Sequence, residues 1–383
     1  MQKSIQRELV EFHSYLQSEG YLLEKASSAA FSKGRHKFSH GVFEGMSKLV
    51  VDFIYNECDD TQYWKGHIIL GVDGSTVEVP NDKNVIDDWG IYQTRSDGKN
   101  ICMARVSTIY DVENNITLQG DIDSFNTSEI EQFKRMFRSF ISPTNSLYVF
   151  DRLFASTLSM FELNNKGVDF CYRMKKDWWK LVETFYHSEA KSAIVTLNLP
   201  KKYWEEAALL GIEKKDIQVR LVKVLLDTGE VEILLTSLLD EEIYSNEDMK
   251  QLYGMRWGIE TFYNQLKSKA NLENFSGKSI RAIKQDFYAK LFILNLSATM
   301  VRPVEKLLEE KPKKKWIHKV NMSDALGYMK KKIIDLLFLG KIKSTILELY
   351  ELFKQNTIPI RPNRKFPRHK LPKNKRHMNY KPI

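Results

Sequence analysis

Cysteine is scarce in this chain: three residues in 383, at positions 58, 102 and 171. Their odd number and wide spacing fit neither a disulfide framework nor a zinc-ligand pattern. The thiols therefore read as small buried hydrophobes in a reducing cytoplasm. Long apolar runs are also missing, and none approaches the roughly 20 residues that span a membrane. The opening MQKSIQRELVEFH lacks the apolar core of a secretion signal. No membrane partner is expected. Acid is absent from residues 361–383, which carry nine of the 58 Lys and Arg. The other 49 bases equal the 49 acids, so the whole formal excess of +9 lies in that tail. A basic, Pro-rich end of this kind is a polyanion-binding arm; the plainer reading is a solubilising tail.

What is present describes a globular protein longer than one typical domain, with 43% hydrophobic and 28% charged residues. Its most informative stretch is QLYGMRWGIETFYNQLKSKA (251–270). Read as one helix, Tyr253, Arg256, Glu260, Tyr263 and Lys267 fall within an arc of roughly 80°. Met255, Ile259, Phe262 and Leu266 fall on a neighbouring arc that can be buried. Arg256 and Glu260, one turn apart, suit a surface ion pair. That reading explains less well the two tyrosines on the stripe. Gly254 and Gly258 share a face and would allow close approach of another backbone or of DNA.

Partner carboxylates come from two strand-like runs. HIILGVDGS (67–75) stops at Asp73, and SLYVFDR (146–152) stops at Asp151. Two aspartates at strand ends and one helical glutamate can converge on hard divalent cations, which favour carboxylate oxygens and phosphates.

These residues resemble the YREK signature of bacterial insertion-sequence transposases of the cut-and-paste DDE group (the IS-four type). The signature is Tyr253-x2-Arg256-x3-Glu260-x6-Lys267. Asp73-Gly74-Ser75-Thr76 and Asp151-Arg152-Leu153-Phe154 look like that family's aspartate motifs, with Leu153 where a small residue is common. AFSKGRHKFSHGVFEGM (30–46) is similar to its N-terminal helical segment. The resemblance covers most of the chain. It implies catalytic and metal-holding roles for Asp73, Asp151 and Glu260. It implies DNA contacts for Tyr253, Arg256 and Lys267. Two Mg²⁺ ions, replaceable by Mn²⁺, are the implied cofactors. Terminal inverted repeats and target DNA are the implied partners, bound by a homodimer in a synaptic complex in the bacterial cytoplasm, at the nucleoid. The alternatives are a ribonuclease-H-like metal nuclease without strand transfer, and an inert DNA-binding descendant. No H-x-H appears, which disfavours a histidine-pair relaxase. No H-x-x-R with an Arg-rich tyrosine context appears, which disfavours a tyrosine recombinase.

The expected fold is α/β: a ribonuclease-H-like core with a β-rich insertion, flanked by helical regions. Residues 1–62 read as helices, with the basic stretch Lys33, Arg35, His36, Lys37 and His40 between them as a DNA-contact region or a solvated loop. Residues 63–160 and 241–303 would form the two parts of the catalytic domain, and 161–240 the insertion. Residues 304–360 would be helical, and 361–383 the tail. Within the core, 100–112 and 116–122 read as a hairpin about Glu113-Asn114-Asn115, and Ser128 as the cap of a helix to about residue 140. Ser245 and Asn246 can cap the signature helix, with Asp248 three after Ser245. Residues 279–303 and 322–357 are helical by periodicity. Arg173, Lys175 and Lys176 followed by Trp178 and Trp179 could grip a strand and stack a base; the alternative is a Trp pair plugging a core edge.

Overall fold

The computed structural model describes residues 4–93, 100–226, 229–310 and 316–361. The chain opens with α1 (Ile5–Ser18), where the Ser4 side chain accepts from the Arg7 N–H. Next come α2 (Ser28–Arg35), capped by Ser27, and α3 (Gly41–Glu57). The basic stretch is thus partly helical, and its members separate. Arg35 is buried: it donates to Gln285 Oε1 at 2.8 Å, Ser276 Oγ at 2.6 Å and Asp286 Oδ1 at 3.0 Å. Lys33, His36 and Lys37 stay exposed.

The core follows as β1 (Ile68–Glu78), α4 (Lys83–Trp89), the short β2 (Tyr92–Gln93) and β3 (Asn100–Ile101), β4 (Met103–Asp111) and β5 (Ile116–Ser124). Asn115 takes the left-handed φ of +59° in the β4–β5 turn, a conformation asparagine tolerates well. Ser128 accepts from the Glu131 N–H and starts α5 (Glu129–Ser139). Then come β6 (Ser146–Phe150), α6 (Thr157–Asn165) and β7 (Asp169–Met174). The stretch after it holds α7 (Lys180–His187), β8 (Ser192–Asn198), α8 (Trp204–Leu209), β9 (Asp216–Leu225) and β10 (Val231–Thr236). Asp227 and Thr228, between β9 and β10, lie outside the described residues.

Among the described residues, eight strands make one mixed sheet in the order β5-β4-β1-β6-β7-β10-β9-β8. β5, β4 and β1 run antiparallel; β6 and β7 run parallel to β1. That five-strand pattern is the ribonuclease-H-like core. β10 pairs antiparallel with β7, so the β-rich insertion continues the same sheet. Strand alternation sorts the faces. Leu70 and Val72 of β1, with Tyr148 and Phe150 of β6, join the apolar cluster holding Phe133, Phe137 and Phe161 of α5 and α6. Ile69, Leu147 and Val149 point the other way, into the cluster that holds Leu252 and Tyr253.

The last third of the chain covers that second face. It contains α9 (Asn246–Met255), α10 (Trp257–Asn264), a π-helical turn over Gln265–Lys269, and α11 (Ile280–Glu310), which runs through Pro303. Then come β11 (His318–Val320), α12 (Met322–Leu337), α13 (Ile342–Gln355) and β12 (Thr357–Pro359). Two expectations need correction. The stretch 251–270 is not one regular helix: it breaks at Arg256 and loosens into the π turn. The region expected to be helical over 322–357 is interrupted, because Gly340 sits at φ +65° between α12 and α13. No described helix is long and apolar enough to cross a membrane.

Candidate active site

Asp73 does not end its strand, as the apolar run suggested; β1 continues to Glu78. What ends is its neighbour. The parallel β1–β6 ladder closes at Val72↔Phe150, so from Asp73 onward β1 is paired on the β4 side only. Asp151 is the residue after β6. The two aspartates therefore lie one step beyond the same rung. By alternation Asp73 follows Ile69 and Gly71, and Asp151 follows Leu147 and Val149, so both begin on the face covered by α9 and α10. The C-terminal ends of parallel strands are where α/β sheets place ligands.

Bare glycines let α10 come down on that edge. An ideal Cβ on Gly71 would stand 3.4 Å from Ile259 Cβ, and one on Gly258 would stand 3.0 Å from Val112 Cβ. Gly254, by contrast, has open space around it. Ile259 is fully buried, and Glu260 follows it, partly exposed. The signature stripe faces the protein. Tyr253 Oη donates to Asp151 Oδ1 at 3.4 Å. Tyr263 Oη donates to the Asp73 carbonyl at 2.8 Å. Lys267 Nζ donates to the Thr76 carbonyl at 2.8 Å. Arg256 donates through Nη2 to Glu260 Oε1 at 3.2 Å and packs beside the rings of Tyr253 and Trp257. Its buried Nε finds no acceptor in the described structure.

The electrostatics follow from this crowding. Burial pushes the Asp73 carboxyl up to about 6; the Gly74 N–H and Arg256 pull it back, and Glu129 and Glu260 raise it. Burial alone would lower the Arg256 guanidinium. Tyr253, Asp151 and Asp73 outweigh it and hold Arg256 above its ordinary range. A cleft of about 360 Å³ opens beside these groups, lined by Trp257, Glu260, Thr261, Tyr263, Asn264 and Lys267.

Glu129 escaped the sequence reading, which gave Arg173 a strand-gripping role and not a place beside Asp151. Glu129, in the first turn of α5, lies against Gly74: a methyl there would come within 2.4 Å of Glu129 Cδ. Glu129 accepts from Arg105 Nη1 at 2.7 Å. Arg173 of β7 lies 3.7 Å from Asp151 and also pairs with Glu232. Only sheet register could place it there, because β7 lies beside β6. Of the Trp pair, Trp178 is exposed under the Lys175 ammonium, while Trp179 packs against the core.

The donor chemistry suits a hard cation. Asp73 and Asp151 supply carboxylate oxygens at one sheet edge, and Glu260 supplies a third from the helix above. Among the described residues no three such groups are gathered tightly enough to ligate one ion. The Arg256 guanidinium holds the intervening positive charge, with Asp73, Asp151 and Glu260 all in its field.

This fold and edge define the ribonuclease-H-like class. The family model for the transposase DDE domain matches residues 64–296, and the chain belongs to that family. Transposases of this family generally depend on a divalent metal. No curated protein matches the chain. Among solved structures it is similar to piggyBac transposase in a synaptic complex with hairpin DNA, at 9% identity and a TM-score of 0.40. The match covers 74% of this chain and 57% of that one, so the chain spans a little over half that transposase's length.

Proposed function

We propose that the protein is a DDE transposase that cuts DNA at element ends and joins the freed end to target DNA. The observation that carries this is the shared rung of Asp73 and Asp151 with Glu260 laid over it by α10. These three acids would hold the divalent metal, and two Mg²⁺ ions suit their number and hardness. Bound there, the metal would polarise the scissile phosphate and lower the barrier to attack by water, then by the freed 3′-hydroxyl.

The chain's own residues do the positioning. Tyr253 and Arg173 orient the Asp151 carboxylate. Tyr263 fixes the β1 backbone at Asp73. Arg256 holds Glu260 in place and can clamp a phosphate with its planar fork. Lys267 supplies a second cation beside the cleft. These roles match the YREK resemblance, as does a homodimer assembled on inverted-repeat DNA.

The test is joining of a labelled DNA, bearing the element's flanking inverted repeat, to a plasmid in Mg²⁺. Joined product from the wild type and none from Glu260→Gln supports the reading. Asp73→Asn and Asp151→Asn should abolish cleavage and keep end binding. Arg256→Lys should lose at least tenfold in joining, because an ammonium cannot make the bidentate clamp. Cleavage without joining would make the protein a nuclease instead.

A further inference from the structure

A second cation cluster lies off the acidic edge. The π turn carries Lys267 toward β1 and Lys269 toward a different cleft, of about 150 Å³, between the turn, α11 and the β11–β12 ladder. Lys269, Arg302 and Lys319 line it, with Asn114 and Asn115 from the β4–β5 turn. Neither Lys269 nor Lys319 makes a side-chain hydrogen bond or ion pair among the described residues. Arg302 spends its Nη2 on Asp60, while Nη1 finds no acceptor. One carboxylate lines the cleft, Glu305. It already accepts from the Val320 N–H at 3.2 Å, and burial pushes it toward the neutral form. Burial and the nearby Lys319 hold the Lys269 ammonium below its ordinary range. Lys269 and Lys319 repel each other, Glu305 offsets only part of the charge of Lys319, and an incoming anion would relieve the rest.

We infer that this cleft is a phosphate-binding site. A phosphate group is the ligand whose charge and oxygen count match three cationic side chains flanked by amides. Its source is the DNA backbone or free phosphate. The DNA source rests on the transposase reading; the site itself does not. A backbone phosphate held here would tie the strand near the signature turn to the C-terminal helices.

The experiment uses the full chain and the double variant Lys269→Gln/Lys319→Gln, whose side chains are exposed. One arm measures binding to plain duplex DNA across ionic strength; the other measures the rise in Tm with inorganic phosphate. The variant's salt slope should be shallower by about one unit if the site holds a backbone phosphate. Loss of the phosphate-induced rise in Tm, with an unchanged slope, would support the site with free phosphate as its source. Unchanged behaviour in both arms overturns the site and leaves the transposase reading standing. Wild-type protein that binds no DNA, yet keeps a phosphate shift that the variant lacks, would count against the DNA reading and support the site.

Discussion

A carboxyl that burial lifts to about 6 works against the fold at neutral pH. The folded value of Asp73 lies above the ordinary 3.8, so the folded state holds an extra proton between roughly pH 4 and 6. Stability contributed by this group is present below that window and is lost as pH rises through it. Asp73→Asn removes the titration. In chelator, the variant should gain at most about 3 kcal/mol over wild type at pH 7 and almost nothing at pH 3.5. Urea unfolding at both values measures it; an equal difference at both would mean that Asp73 is well solvated. The same strain makes chemical sense, since a destabilised carboxylate has more to gain from a bound cation.

At the scale of elements, the seat of α10 on the sheet decides where Glu260 stands. Gly258→Val would drive a branched side chain into Val112. It should cost about 1–3 kcal/mol by overpacking and suppress cleavage while sparing DNA binding. Gly254→Ala meets open space and should instead gain about 0.5–1 kcal/mol from helix propensity. Paired thermal melts and a cleavage assay separate the two. If both glycines behaved alike, α10 would not be held by that contact. α9 upstream is set independently, by the full capping box between Ser245 and Asp248.

Across the whole molecule, the N-terminal helices are joined to β4 and to the segment after the signature turn by buried polar contacts. Arg35 connects α2 to Ser276 and to Gln285 and Asp286 of α11. Tyr55 of α3 donates to the buried Asp111 at 2.6 Å. Arg35→Ala leaves Asp286 without its cation and should destabilise by about 3–5 kcal/mol, read as a fall in Tm. A change under 1 kcal/mol would show that α2 docks by other contacts. The net charge is also a property of the whole chain. Removing 361–383, of which 362–383 lie outside the described residues, should lower DNA affinity and flatten its salt dependence. An unchanged slope would make those cations bystanders.

Local rules were enough for much of this. Strand runs, the Ser128 and Ser245 caps, the Asn115 turn and the order of two aspartates before a glutamate all follow from propensity, hydrogen-bonding capacity and spacing within a few residues. The ribonuclease-H-like core was expected from the family resemblance, with which the order of strand, hairpin, helix and strand agreed. What spacing could not decide were effects of long-range packing. β1 continues past Asp73 because β4 still pairs with it. The signature stripe is buried because glycines let α10 descend on the sheet. Arg35 is a core residue because α11 surrounds it. Glu129 reaches Gly74, and Arg173 reaches Asp151, only because the sheet and its covering helices bring distant segments together. The sequence by itself determined the elements and the chemistry they carry; the tertiary structure decided which groups share a field, because burial and charge act through space rather than along the chain.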